Sequence, residues 1–235
     1  VLFEGVDTDI YGKTNEFSKE LLEQFEPIKE DFCFLHVGHW LQGNMGEDRK
    51  DISMLIKTFC ETFKNQKNPP ALILKTSGAT PCIIDRQEIL GKIHEIKRSL
   101  VGELPNVYVL HGDLRDEEIN QLYNHPKVKA HVSFTHGEGF GRPLLEAKEF
   151  IVDGAQWFQV NYAYASNVLR EIHNNYSKYV TKAKKQSIVN KSKFSLEQMT
   201  KTLGDILDKH LPKFEEQPQK VDIKLPTLKK VSKPK

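Results

Sequence analysis

Four apolar runs, each followed by a segment with helical periodicity, limit what this chain can fold into. Phe32-Cys33-Phe34-Leu35-His36-Val37-Gly38 precedes Ile52, Leu55, Ile56, Phe59 and Phe63, whose offsets of 3, 4, 7 and 11 fall on one helical face. Ala71–Lys75 precedes Ile89, Ile93, Ile96 and Leu100, and Val107–His111 precedes residues 117–123 with Ile119, Leu122 and Tyr123 apolar. Lys129–Phe134 leads to a helix expected from Pro143. Repeated strand–helix alternation makes the strands parallel and covers both sheet faces, because each crossover lays a helix on the sheet. The expected class is α/β, a Rossmann-like parallel sheet flanked by helices, followed by C-terminal helices. After about residue 150 the strands stop; a helical part is expected from about 155, and 156–172, 175–183 and 195–211 read as helices. Ser195 suits the N-cap of the last, with Gln198 three residues on.

At 235 residues, with 38% hydrophobic and 28% charged residues, the chain can bury a substantial core as a globular domain. No apolar run approaches the roughly 20 residues that span a bilayer. Val1-Leu2-Phe3-Glu4-Gly5 has no signal-peptide character and no initiator Met, so a cytoplasmic piece of a longer protein is expected. Cys33, Cys60 and Cys82 are too scattered for a zinc site or a disulfide framework and are expected to be buried or semi-buried thiols. The net charge of +2 hides a division: from Lys220 onward six lysines face one aspartate, so a tail at 212–235 is basic and the body net acidic. That body is no nucleic-acid footprint.

The segment "HVSFTHGEGFGRPLLEA" (131–147) closes the fourth run. It reads as a dinucleotide fingerprint, a turn that needs glycine, or a sugar site. The fingerprint G-x-G-x-x-G belongs after the first strand with an acid about 20 residues on, whereas here G-x-G-x-G follows the fourth. Gly137, Gly139 and Gly141 let the backbone approach a ligand, and a helix starting near Pro143 aims amides at an anion. Glu138 and Glu146 suit hydroxyls instead. Phosphates and hydroxyl pairs occur together in a nucleotide sugar.

With those residues in view, "GEGFGRPLLEA" (137–147) resembles the E-x(7)-E signature of retaining GT-B glycosyltransferases of the group 4 family. Other segments agree in order: "EGVDTDIY" (4–11), "FLHVGHW" (34–40), "DRKDISMLIKTF" (48–59), "NVYVLHGDLRDEEINQLYNH" (106–125) and "NKSKFSLEQMTKTL" (190–203). The resemblance implies that residues 1–211 form the nucleotide-sugar (donor) half of a GT-B fold, the N-terminal acceptor domain being absent from this sequence, so that this piece binds donor without transferring it. It implies retaining transfer from a UDP- or GDP-sugar to an unknown acceptor, without a metal or other cofactor. Glu146 is implied to hold the ribose, and Glu138, with Gly139 and the amides of Phe140 and Gly141, the transferred sugar and its diphosphate. Lys50 is implied to neutralise the diphosphate with Arg49 beside it, and Leu110–Leu114 to border the base.

The match departs from the family at several places. His39 stands where an arginine is usual, and Arg142, in an aliphatic position, is a candidate substitute cation. Asp51 replaces a glycine, a change expected to alter only the helix cap. After Ala147 a family strand has no counterpart, which suggests a missing segment. A catalytically silent nucleotide-sugar- or glycan-binding module is the alternative, and an oxidoreductase-type nucleotide binder a more distant one. Trp40, Trp157 and His136 are expected to pack, and His111, ending a strand, to bond backbone.

Overall fold

A computed structural model describes residues 2–41, 43, 45–78, 80–137 and 159–212. The elements in chain order are α1 (Lys19–Phe25), β1 (Cys33–Val37), α2 (Ile52–Phe63), β2 (Ala71–Lys75), α3 (Ile83–Arg98), β3 (Val107–Leu110), α4 (Asp116–Asn124), β4 (Val128–His131), α5 (Tyr162–Asn174), α6 (Tyr176–Lys193) and α7 (Leu196–His210). The four strands form one parallel sheet in the order β3-β2-β1-β4. This is the expected Rossmann-like arrangement.

Strand alternation explains why the core has two layers. Phe34, Leu72, Leu74 and Ala130 point to one face, where they meet α2, α3 and α5 through Leu55, Phe59, Ile93 and Leu169. Cys33, Leu35, Ala71 and Ile73 point to the other, against Leu21 and Phe25 of α1 and Leu122 of α4. Both faces are dry, so β1 and β2 read as unbroken apolar runs rather than alternating ones. Cys33 and Cys60 are buried, and burial pushes their thiols up to about 12 and about 11. Cys82 departs from expectation: it is exposed, at the N-cap of α3.

Several elements differ from the periodicity reading: α1 is not among the expected helices, and the helix expected over 156–172 is α5, which begins at Tyr162 and ends at Asn174. β4 ends at His131 rather than Phe134, and α6 runs on to Lys193 rather than 183. The N-terminal segment is held from outside the sheet: Val6 donates to the Phe194 carbonyl and accepts from Leu196, at 2.9 Å each. No described helix is long and apolar enough to cross a membrane.

Candidate functional site

The chain leaves β1 on one side for β2 and returns on the other for β4, so the loops at the carboxyl ends of β1 and β4 diverge and leave a crevice. A cavity of ≈ 270 Å³ opens at this end of the sheet, over the carboxyl ends of β1 and β2, lined by Gly38, His39, Asp48, Arg49, Lys50, Lys75, Thr76 and Ser77 among others. The loop after β1 is folded onto β2: the Gly38 amide donates to the Lys75 carbonyl (3.1 Å) and the Trp40 amide to Ser77 (2.9 Å). Trp40 packs in the core as expected. A Cβ on Gly38 would sit 3.2 Å from His36 Nε2, closer than ordinary packing, and 3.7 Å from Lys50 Cε, an ordinary contact, so the glycine accommodates the His36 ring. His39 is exposed at the rim, its Nδ1 3.2 Å from Ser77 Oγ.

Arg49 joins this loop to the segment entering the glycine-rich motif. Its carbonyl accepts from the His136 amide (2.9 Å) and from Thr135 Oγ1 (3.2 Å). Its guanidinium Nη1 donates to the Gly137 carbonyl (2.8 Å), so this donor holds backbone. Lys50, half-buried, follows directly.

Asp51 corrects the expectation of a simple cap change. It lies in the left-handed region (φ 51°, ψ 38°), its side chain makes no cap hydrogen bond, and it is fully buried. Its Oδ2 accepts from the Tyr162 hydroxyl of α5 at 2.6 Å, and His136 Nε2 lies 3.8 Å away. Burial, followed by the Asp51 bond, pushes the Tyr162 phenol up to about 12. Asp48 supplies the cap instead, accepting from the Ile52 amide at 3.4 Å, and its own burial raises its carboxyl. His136 is buried, as a packing residue should be, but it packs beside a carboxylate.

Sequence reasoning missed Lys75 as a site residue. Its ammonium donates to the Gly112 carbonyl at 2.6 Å, and burial lowers its pKa against the pull of Asp113. The signal was a lysine ending the otherwise apolar strand Ala-Leu-Ile-Leu-Lys. His111 also departs from expectation, since it pairs with a side chain: Nε2 lies 2.7 Å from Asp85 Oδ2, and the same carboxylate accepts from the Gly78 amide at 2.8 and 3.0 Å. Burial pushes Asp85 up, but these bonds outweigh it and leave the carboxyl below its ordinary range.

Among the sequence-predicted residues, His39, Arg49 and Lys50 therefore share one crevice. Leu110 and Leu114 do not line it; they pack half-buried against the core layer that holds Leu122. Glu138, Gly139, Phe140, Gly141, Arg142 and Glu146 lie outside the described residues, as do Pro143 and Trp157. No group of three potential metal ligands occurs among the described residues. What the crevice offers is cationic: Lys50, Lys75 and Arg49 beside backbone and hydroxyl donors. That is an anion's environment.

No family model and no curated protein matches the sequence. Solved structures do match. The C-terminal domain of a glycosyl transferase group 1 family protein, LpcC from Francisella tularensis, superposes with a TM-score of 0.56 at 15% identity, covering 82% of this chain and 100% of that domain. HepE from Anabaena, solved in complex with UDP-glucose, gives 0.64 at 17% identity over 88% of this chain and 57% of its own. The fold is that of a GT-B C-terminal domain. TarM from S. aureus, in complex with fondaparinux, alpha-GlcNAc-glycerol and UDP, gives 0.57 at 16% identity over 86% of this chain and 38% of its own. The GT-B-like chain thus spans little more than half of HepE and less than half of TarM.

Proposed function

We propose that this chain is the donor-binding domain of a retaining GT-B glycosyltransferase of the group 4 type, a hexosyltransferase that uses a UDP- or GDP-sugar and an unknown acceptor in the cytoplasm. The observation that carries the reading is the docking of Arg49 onto residues 135–137, which puts Lys50 beside the start of the two-glutamate motif. In this reading Lys50 neutralises the charge that develops on the departing diphosphate, a role for a fixed cation at a partly desolvated site. Arg49 shapes the loop, His39 at the rim and Arg142 add donors, and Glu146 takes the ribose hydroxyls. Glu138, with Gly139, Phe140 and Gly141, takes the sugar and diphosphate, and Leu110–Leu114 border the base. Retaining transfer through an oxocarbenium-like state asks for this charge stabilisation and for no metal. The UDP-glucose bound to HepE and the UDP bound to TarM support a nucleoside diphosphate as the anion.

Titration calorimetry with UDP, GDP and NAD tests the reading. Lys50→Ala is expected to weaken UDP or GDP about 10- to 100-fold, the worth of a charge-assisted contact, and Glu146→Ala to weaken it too, with EDTA changing nothing. Tight NAD binding, or diphosphate binding indifferent to both substitutions, overturns it. Turnover of a nucleotide sugar by the natural full-length protein, lost in Glu138→Ala, separates an enzyme from a silent module. His39 in the arginine position is the observation that favours the silent module.

A further inference from the structure

We propose that the solvent face of α6 is a docking surface for an anionic lipid bilayer. The helix, YSKYVTKAKKQSIVNKSK, carries six lysines and no acidic residue. Its inner side is settled by packing: Tyr176 and Tyr179 sit against the core, and the buried Asn190 accepts from Gln186 at 2.8 Å. Helical spacing sends Lys178, Lys184, Lys185, Ile188 and Lys191 to the other side, where all are exposed. Lys178 is engaged by Glu171 of α5 at 3.2 Å. Among the described residues, Lys184, Lys185, Lys191 and Lys193 have no ion-pair partner, so their charge is unspent.

Within this basic field Ile188 is 71% exposed and Val189 40% exposed. An apolar wedge among lysines suits a lipid surface, where the ammonium groups meet headgroups and the side chain enters the acyl boundary. A nucleic-acid backbone would use the lysines and leave Ile188 without a role. The exposed face also lacks arginine and aromatic rings, which would read or stack on bases. Placement fits as well. Tyr176 packs edge-on against Phe32 at 5.3 Å, beside the amino end of β1, whereas the crevice lies at the carboxyl ends. A surface under α6 would leave the crevice open.

Co-sedimentation with vesicles of phosphatidylcholine, alone or with roughly one-third phosphatidylglycerol, tests this. The tail beyond Lys220 is also basic, so each α6 variant is compared in the native chain and in a Lys229→Gln/Lys230→Gln background. Binding is expected only to the anionic vesicles. Lys184→Gln/Lys185→Gln/Lys191→Gln should lower partitioning on the order of 100-fold, at about fivefold per lysine. Ile188→Ser should lower it roughly tenfold with the charge intact. These positions are exposed, so circular dichroism should be unchanged. Equal binding to neutral vesicles, no loss in the triple variant in either background, indifference to Ile188→Ser, or tighter α6-dependent binding to duplex nucleic acid would overturn the proposal.

Discussion

Asp51 holds a backbone conformation that favours glycine, yet its carboxylate is wholly buried and tied to Tyr162 at 2.6 Å. A left-handed aspartate is tolerated because its backbone strain, about 1 kcal/mol, is offset by a charge-assisted bond worth about 1.5–3 kcal/mol. Tyr162→Phe should therefore cost about 2–3 kcal/mol, since it strips a donor from a buried carboxylate. Asp51→Gly should cost less, because it removes the buried charge and the strain together. The double variant should fall well short of the sum, with a coupling of about 1–3 kcal/mol in a urea-denaturation cycle. Additive losses would mean that the two side chains act independently. This role was not legible in the sequence. Aspartate at a helix start reads as a cap, and only the chain path brings residue 162 against residue 51. Lys50 and His39 were singled out by the family resemblance rather than by local pattern, and both line the crevice. Lys75 was hidden by its own burial, which normally argues against lysine.

At the scale of elements, strands and crossover helices followed from period and apolar run length, while their ends did not. Phe134 is buried and so looked like strand, but it lies past the last β4 pair and packs against Tyr162 of α5. Helix α1 was missed because seven residues give too few turns for a period; its only signal was Ser18, which accepts from Leu21 at 3.2 Å. The expected N-cap at Ser195 is present, accepting from Gln198 at 3.1 Å. That cap lies where the N-terminal segment crosses α7, and Gly5 makes the crossing possible. A Cβ on Gly5 would fall 2.6 Å from Leu196 Cα and 2.8 Å from the Ser195 carbonyl, both backbone atoms that cannot rotate away. Gly5→Ala should detach the segment at a cost of about 1–3 kcal/mol. Hydrogen exchange reads this directly: protection at the Val6 and Leu196 amides should drop, while that of β1 and β2 stays. Unchanged protection at Val6 would show that the strap tolerates the methyl group.

For the molecule as a whole, the layers that make both sheet faces dry also enclose two histidines that cannot ionise in place. Burial, reinforced by nearby cations, lowers His131 to about 3; neither ring nitrogen has a hydrogen-bond partner among the described residues. Burial likewise lowers His125 to about 4; it stacks on Phe25 at 3.6 Å, and its Nδ1 accepts from the Lys127 amide at 3.2 Å. In the unfolded chain both titrate near 6.5. Above that pH neither state binds the proton. Between about 6.5 and the folded values only the unfolded state does, so stability falls as pH falls through this window. At pH 5 the loss is about 2 kcal/mol for each ring, or about 4 kcal/mol in all, a large part of what a domain of this size has to lose. Urea midpoints measured at pH 7.5 and pH 5 should therefore separate by roughly 2 M for a typical slope. His131→Leu keeps the volume and removes one titration, so it should lie close to the parent at pH 7.5 and exceed it by about 2 kcal/mol at pH 5. That comparison isolates the histidine from Asp48, whose raised carboxyl acts in the opposite sense. If parent and variant lose stability in parallel between the two pH values, the proton is being taken up elsewhere and His131 is not the acid-labile point of the core.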